Sequence, residues 1–189
     1  MEPLRRDALI RAAIDEIAEG AGRDVTVARI AKRAGMSPAL AHHYFGSKDR
    51  MLLAAMRRVL SDFGAEVRAG LARADTPLER LEAIIRASFG PTNFRPEVVA
   101  AWLAFYVEAF AGPEARRLLH VYQGRLRSNL LHALRPLTAE PEPLAEGIAA
   151  LIDGLYVRQA LRRDRMTPEA SAELVMDHAR AAIERKDAR

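Results

Sequence analysis

Leu9, Ala13 and Ile17 recur every fourth residue near the start of the chain, and Ile10 and Ile14 widen the stripe into a band. A band of that width is the buried face of an amphipathic helix. The same spacing returns in segment after segment. Alanine, leucine and arginine dominate, and no β-branched alternation of period two appears. This periodicity confines the chain to an all-α fold. Breaks fall at Gly20 and Gly22, Gly35, Gly46, Asp75-Thr76-Pro77, Gly90-Pro91, Arg95-Pro96, Gly112-Pro113, Pro136 to Pro143 and Thr167-Pro168. They divide the chain into about nine helices.

A chain of 189 residues can bury one good core or two small ones. Half of it is hydrophobic and 29% is charged, which excludes a disordered polymer. No apolar run approaches the roughly 18 residues of a bilayer span. Met1-Glu2-Pro3-Leu4-Arg5-Arg6 has no apolar stretch behind it, so neither a membrane partner nor a secretory signal is expected. The absence of cysteine excludes disulfides and thiolate metal sites and fits a cytoplasmic protein. The formal net charge of +4 is concentrated in one segment. There Arg23, Arg29, Lys32, Arg33, Lys48 and Arg50 face only Asp24 and Asp49, six minus two. Such a patch reads equally as a phosphate-contacting module or as a solvated helix face.

The patch coincides with a helix-turn-helix pattern. The first helix runs from about Pro3 to Ala18. Thr26 caps a second, in which Val27, Ile30, Ala31 and Ala34 share a face. Gly35 supplies the left-handed residue that ends it. Ser37 caps a short third helix, with Pro38 at its first position, stopping at Phe45-Gly46. Ser47 caps a fourth, to about Ala69. On the third helix Ala41 and Phe45 are one turn apart and turn inward. Ser37, Ala39, Leu40, His42, His43 and Tyr44 then face outward, where small residues admit base edges and Leu40 suits a thymine methyl. Thr26, His42 and Tyr44 can donate to phosphates, Lys48 adds a charge, and Arg5 and Arg6 can reach neighbouring phosphates. His42 and His43 point about 100° apart on a helix and no third ligand is evident, so no metal is expected, nor any cofactor.

The run Thr26-Val27-Ala28-Arg29-Ile30-Ala31-Lys32-Arg33-Ala34-Gly35-Met36-Ser37, followed by His43-Tyr44-Phe45-Gly46-Ser47-Lys48-Asp49 and Leu52-Leu53, resembles the DNA-binding signature of the TetR family of transcriptional regulators. Met36 stands where that family usually has Val. The resemblance implies DNA contact by Thr26, Ser37, Pro38, Ala39, Leu40, His42, His43, Tyr44 and Lys48. It also implies an all-α, TetR-like architecture: a helix-turn-helix domain over residues 1–50, then an effector-binding and dimerisation domain over 51–189. One reading module touches few base pairs, and a two-fold homodimer on an inverted-repeat operator doubles the site.

Two further features lie behind the reader. A helix from about Pro143 to Arg163 carries Gly147, Ala150, Leu151, Gly154 and Leu155 near one face. A last one, about Pro168 to Lys186, has Leu174, Val175, His178 and Ala182 at helical spacing. The pair can pack within the chain or form half of an intersubunit four-helix bundle, and the family resemblance favours the bundle. Phe89, Phe94, Trp102, Phe105, Tyr106 and Phe110 cluster, with Tyr122 and Tyr156 further on. Trp102, Tyr106 and Phe110 are spaced as one face. Plain core packing accounts for such aromatics, but Glu97, Glu108 and Asp153 keep them company, and aromatic faces beside a carboxylate suit a quaternary ammonium.

The stretches Trp102 to Tyr106, Arg125 to Leu130 and Ala149 to Arg158 resemble the choline-responsive repressors of glycine betaine synthesis within that family. Tyr106 and Tyr156 stand where those relatives often carry Trp. The implied function is a DNA-binding repressor of choline uptake and betaine synthesis genes, released by a cationic effector. The effector residues are then Phe89, Trp102, Phe105, Tyr106, Glu108, Asp153 and Tyr156. A family member answering a drug or lipid differs only in this pocket. An all-α enzyme using His42, His43 or His120 lacks a carboxylate partner pattern or an E-x-x-H motif. An adaptor using the basic patch on acidic proteins is the other alternative.

Overall fold

The computed structural model describes residues 2–20, 25–161 and 164–187. Among these run nine α-helices and no strand: α1 (Glu2–Gly20), α2 (Val27–Arg33), α3 (Pro38–Phe45), α4 (Lys48–Leu71), α5 (Pro77–Ser88), α6 (Pro96–Ala111), α7 (Pro113–Leu134), α8 (Pro141–Leu161) and α9 (Pro168–Asp187). The all-α reading therefore holds. The predicted break at Gly22, the charges of Arg23 and Asp24, and the predicted helix end at Arg163 lie outside the described residues. Six helices open on proline, whose missing N–H costs nothing at the first helical position.

Local chemistry sets the remaining boundaries. The Thr26 hydroxyl accepts from the Arg29 N–H at 3.2 Å, Ser37 from Leu40 at 3.2 Å and Ser47 from Arg50 at 3.3 Å. Thr76 and Glu79 close a reciprocal capping box on α5, at 3.2 and 3.0 Å. Gly35 and Gly46, with φ of 67° and 76°, occupy the left-handed region at the ends of α2 and α3.

The chain divides into two compact units. The first runs to Ser61 and takes in Arg95–Leu118. In it α1 packs against α2 and α6, and α2 against α3. Leu9, Ala13 and Ile17 of α1, Ile30 and Ala31 of α2, and Val98, Val99 and Trp102 of α6 are all buried. One buried residue of α1 is charged. Glu16 accepts from Arg29 Nε at 2.8 Å and from Arg33 Nε at 2.7 Å, tying α1 to α2. Arg33 also donates to Glu19. Hydrogen bonding from Arg33, then from Arg29, holds the Glu16 carboxyl below the usual carboxylate range against the opposing effect of burial. A second tie joins Asp7 of α1 to Arg58 of α4.

The second unit comprises Asp62–Phe94 and Leu119–Arg189. There α9 packs against α5 and α8. Ile84 and Ile85, Leu130 and Leu134, Ile148, and Val175 and Met176 are essentially inaccessible. A Cβ on Gly70 would stand 3.0 Å from that of Ala83, so α4 and α5 meet at a contact with no room for a side chain.

Two stability outcomes follow. Thr76→Ala removes the α5 cap and costs about 1 kcal/mol, read as a shifted urea midpoint at unchanged slope. A carboxyl whose folded pKa is lowered stabilises above its unfolded pKa, and that stabilisation is lost as pH falls through the folded value. Urea titrations of wild type and Glu16→Gln are therefore expected to differ at neutral pH and to converge in acid. A gap that persists undiminished at pH 3 would contradict the role assigned to the ionised carboxylate.

Candidate functional site

The turn between α2 and α3 carries the candidate nucleic-acid interface. Ala41 and Phe45 of α3 are buried, as their one-turn spacing predicts. Ser37, Pro38, Ala39, His42 and His43 are exposed, and Leu40 and Tyr44 are half-buried at the edges of that face. No residue from Pro38 to Tyr44 except the predicted anchor Ala41 is withdrawn from solvent. Thr26 is exposed at the N-terminus of α2, and Lys48 is half-buried at that of α4. The ring of His43 meets that of Tyr44 edge-on at 5.6 Å, and His42 Nδ1 lies 3.3 Å from the Gly46 carbonyl. These contacts restrict the two rings on the outward face. Arg6 lies over the Phe45 ring at 5.1 Å, so it is already engaged on the apolar side of α3.

The basic patch requires a correction. Arg29 and Arg33 supply two of its six predicted positive charges, but both are paired with the α1 carboxylates Glu16 and Glu19. Those acids lie outside the window in which the charge was summed. Only the packing of α1 on α2 brings them in. Lys32 and Arg50 are exposed in the same segment.

The seven residues assigned to the effector fall into two groups, one in each unit. In the first, Trp102 and Phe105 of α6 are buried and Tyr106 is half-buried. The Trp102 ring stands 5.7 Å from Tyr106 and 6.1 Å from Phe105. Glu108, half-buried on the same helix, turns toward Gly112, where a Cβ would come 3.0 Å from its Oε1. Phe110 does not belong to this group: it is 87% exposed, whereas Trp102 is 4%. Eight residues advance a helix about 80° past two full turns, enough to carry the third member off the face.

In the second unit, Phe89 and Tyr156 are buried with ring centroids 6.1 Å apart, and Phe94 lies 5.1 Å from Phe89 and 5.4 Å from Tyr156. The Tyr156 phenol donates to the Ser88 carbonyl, with the Asn93 carbonyl at 3.4 Å. Burial pushes that phenol's pKa well up, aided by Tyr122, Asp153 and Glu66. Burial and the Asp153 charge push up Tyr122 likewise. Asp153 therefore acts on both tyrosines.

Sequence reasoning missed three participants here. Phe63 meets Tyr122 edge-on at 5.6 Å. Glu66 accepts from Asn93 Nδ2 at 2.7 Å, and that amide also reaches the Ala87 carbonyl at 3.1 Å. A Cβ on Gly90 would meet the Glu66 carboxylate, which would have to shift to admit a side chain there. Phe63 was legible as the i−4 partner of buried Val67. Nothing local marks Glu66.

The small-residue face of α8 also departs from simple close approach. Among the described residues a Cβ on Gly154 would meet no atom within 4 Å beyond its own helix, whereas one on Gly147 would stand 3.8 Å from His178 Nε2. Ala150, Gly154, Val157 and Leu161, spaced i, i+4, i+7 and i+11, are all exposed, and so is Leu174 on α9. Among the described residues no group of three His, Asp or Glu could hold a metal ion, and no single helix is long and apolar enough to cross a membrane.

Comparison with known proteins agrees with this geometry. Residues 9–55 match the bacterial regulatory proteins of the tetR family, and residues 77–184 match the C-terminal domain of the BetI-type transcriptional repressors. The HTH-type transcriptional regulator BetI of Rhizobium meliloti is 50% identical over 185 residues, 97% of this chain and 91% of the relative. That of Brucella anthropi is 49% identical over 180 residues, 94% and 93% of the two chains. A transcriptional regulator from Rhodococcus sp. Rha1 superposes with a TM-score of 0.84 at 25% identity, covering 96% of each chain. A Saccharomonospora viridis protein solved in complex with choline superposes at 0.81 and 25% identity, covering 97% of each. The matched families and curated relatives are transcriptional regulators, not enzymes. The chain thus belongs to the TetR family of bacterial transcriptional regulators, as a repressor with a BetI-type C-terminal domain.

Proposed function

We propose that this regulator acts in the cytoplasm as a homodimer on an inverted-repeat operator, repressing choline uptake and glycine betaine synthesis genes until choline or a related quaternary amine accumulates. The observation that carries the reading is the outward face of α3, with Pro38, Ala39, Leu40, His42, His43 and Tyr44 accessible and only Ala41 and Phe45 used as anchors. In a major groove the small residues at the start of α3 approach base edges while Thr26, Ser37, Tyr44 and Lys48 bind phosphates. Residues 1–50 are the reader in this scheme, and 51–189 carry effector and dimer functions.

The dimer reading draws on the α8 stripe. Ala150, Gly154, Val157 and Leu161 follow the spacing of a helix–helix seam and are left uncovered, with Leu161 77% exposed. A second copy supplies the covering face, and α8 and α9 of each chain make the four-helix bundle.

The effector reading draws on the aromatic groups and on the choline bound by the Saccharomonospora viridis protein. Trp102, Phe105, Tyr106 and Glu108 in one unit, and Phe89, Tyr156 and Asp153 in the other, each offer aromatic faces and a carboxylate to a cation that cannot donate hydrogen bonds. Because α6 packs along α1, a ligand that shifts Trp102 bears on the first helix of the reader. Typical coupling of about 1–3 kcal/mol, moving the two heads off a spacing of about 34 Å, is enough for release.

Four outcomes test this scheme. The protein is expected to retard a duplex from its own upstream region, and no retardation by dimeric protein would end the repressor reading. Lys48→Ala lowers the slope of log affinity against log salt by about 0.9, uniformly across sequences. Leu161→Asp yields a monomer in sedimentation analysis that loses operator binding with its fold intact, and an unchanged dimer would exclude the α8 seam. Choline or betaine aldehyde releases the duplex, and Trp102→Ala raises the half-releasing concentration roughly tenfold. If neither amine releases wild type, the effector is of another class and the family assignment stands.

A further inference from the structure

The two arginines of α2 stand where a helix-turn-helix crosses the phosphate backbone, yet each is committed elsewhere. Arg29 Nε and Arg33 Nε occupy the two carboxylate oxygens of one buried Glu16, at 2.8 and 2.7 Å. Arg33 holds Glu19 as well. Two positive and two negative charges cancel on this face of α2. The Arg29 and Arg33 side chains remain 49% and 31% exposed, so access to solvent is not what restrains them. Pulling Arg33 onto a phosphate would leave one oxygen of a 5% exposed carboxylate without its donor, and an unmet buried acceptor is costly.

From this geometry we infer that Glu16 and Glu19 withhold Arg29 and Arg33 from DNA phosphates, limiting non-specific binding so that the α3 face dominates the choice of site. The inference rests on the DNA-reading role proposed above. Non-specific affinity comes from phosphate neutralisation and scales with the number of contacts. Biological selectivity depends on the ratio of specific to non-specific binding. Two free arginines would raise the non-specific part without adding base readout. Glu16 and Glu19 are thus specificity-determining residues that touch no base.

The test measures affinity for a random-sequence duplex and for the protein's own upstream duplex across a range of NaCl, by fluorescence anisotropy, with full-length protein. Glu16→Gln is expected to steepen the salt slope on random duplex by about 1–2, near 0.9 for each arginine released. Glu19→Gln, at an exposed position, steepens it by up to about 1. The neutral combination Glu16→Gln, Glu19→Gln, Arg29→Gln and Arg33→Gln, which removes both charges of each sign, returns the slope to the wild-type value, because the wild type makes no phosphate contact through these arginines. A purely structural ion pair would leave every slope unchanged in folded variants, and that result overturns the inference. So does a neutral combination shallower than wild type by about 2, which would mean the arginines already bind phosphate. Should Glu16→Gln fail to fold, Glu19→Gln and the neutral combination decide the matter. Wild type that binds neither duplex defeats the DNA reading itself, a result distinct from wild-type binding with unaltered slopes.

Discussion

An eight-residue helix has no business being stable in water. Nucleating a turn costs more than eight residues return, and isolated helices become marginal below about 12–15. Yet α3, Pro38–Phe45, is the element on which the proposed recognition depends. It persists because Ala41 and Phe45 are buried one turn apart, Ser37 caps its first turn and Gly46 in left-handed geometry closes its last. Tertiary burial supplies what propensity lacks. The consequence is functional as well as structural. A helix anchored by only two side chains leaves its other faces free, and those are the faces a duplex can read.

Electrostatics around the reader follow a similar division between local and long-range causes. Counted along the chain, the positive charge in this region forms one local patch. In the fold, Glu16 and Glu19 divide it into an engaged part on α2 and an accessible part that includes Lys32, Lys48 and Arg50. The buried carboxylate of Glu16 is tolerable because two guanidinium groups satisfy both its oxygens, leaving neither charge unpaired. The same bond pair orients α2 on α1, so the platform for α3 and its local charge are set by one side chain.

The aromatic residues illustrate how much a one-dimensional pattern can overreach. Trp102 and Tyr106 do meet through their rings, while Phe110 leaves the face entirely. In the second unit Phe89, Phe94 and Tyr156 form a mutually packed set, and the Tyr156 phenol finds carbonyl acceptors at the end of α5 and in the segment between α5 and α6. Glu66 reaches that segment from α4 through Asn93, a link that skips 27 positions of sequence and has no periodic trace. The half-buried carboxylates of Asp153 and Glu66 act through space on the tyrosines and make this set electrostatically unlike an ordinary apolar core.

The sequence alone determined everything that depends on neighbours within one helical turn. The all-α class, the helix starts at Ser37-Pro38 and Thr76-Pro77, the left-handed stop at Gly35, the stop at Gly46, and the anchors Ala41 and Phe45 are consequences of local sterics, capping and 3.6-residue periodicity. What only the tertiary structure decided is which charges cancel and which surfaces stay uncovered. Arg29 and Arg33 lost their apparent freedom to α1, Glu66 was brought to Asn93, and the space beside Gly154 of α8 stayed open among the described residues. The physical reason is that Coulomb and packing interactions act through space, so partners distant in the chain leave no mark in its local pattern.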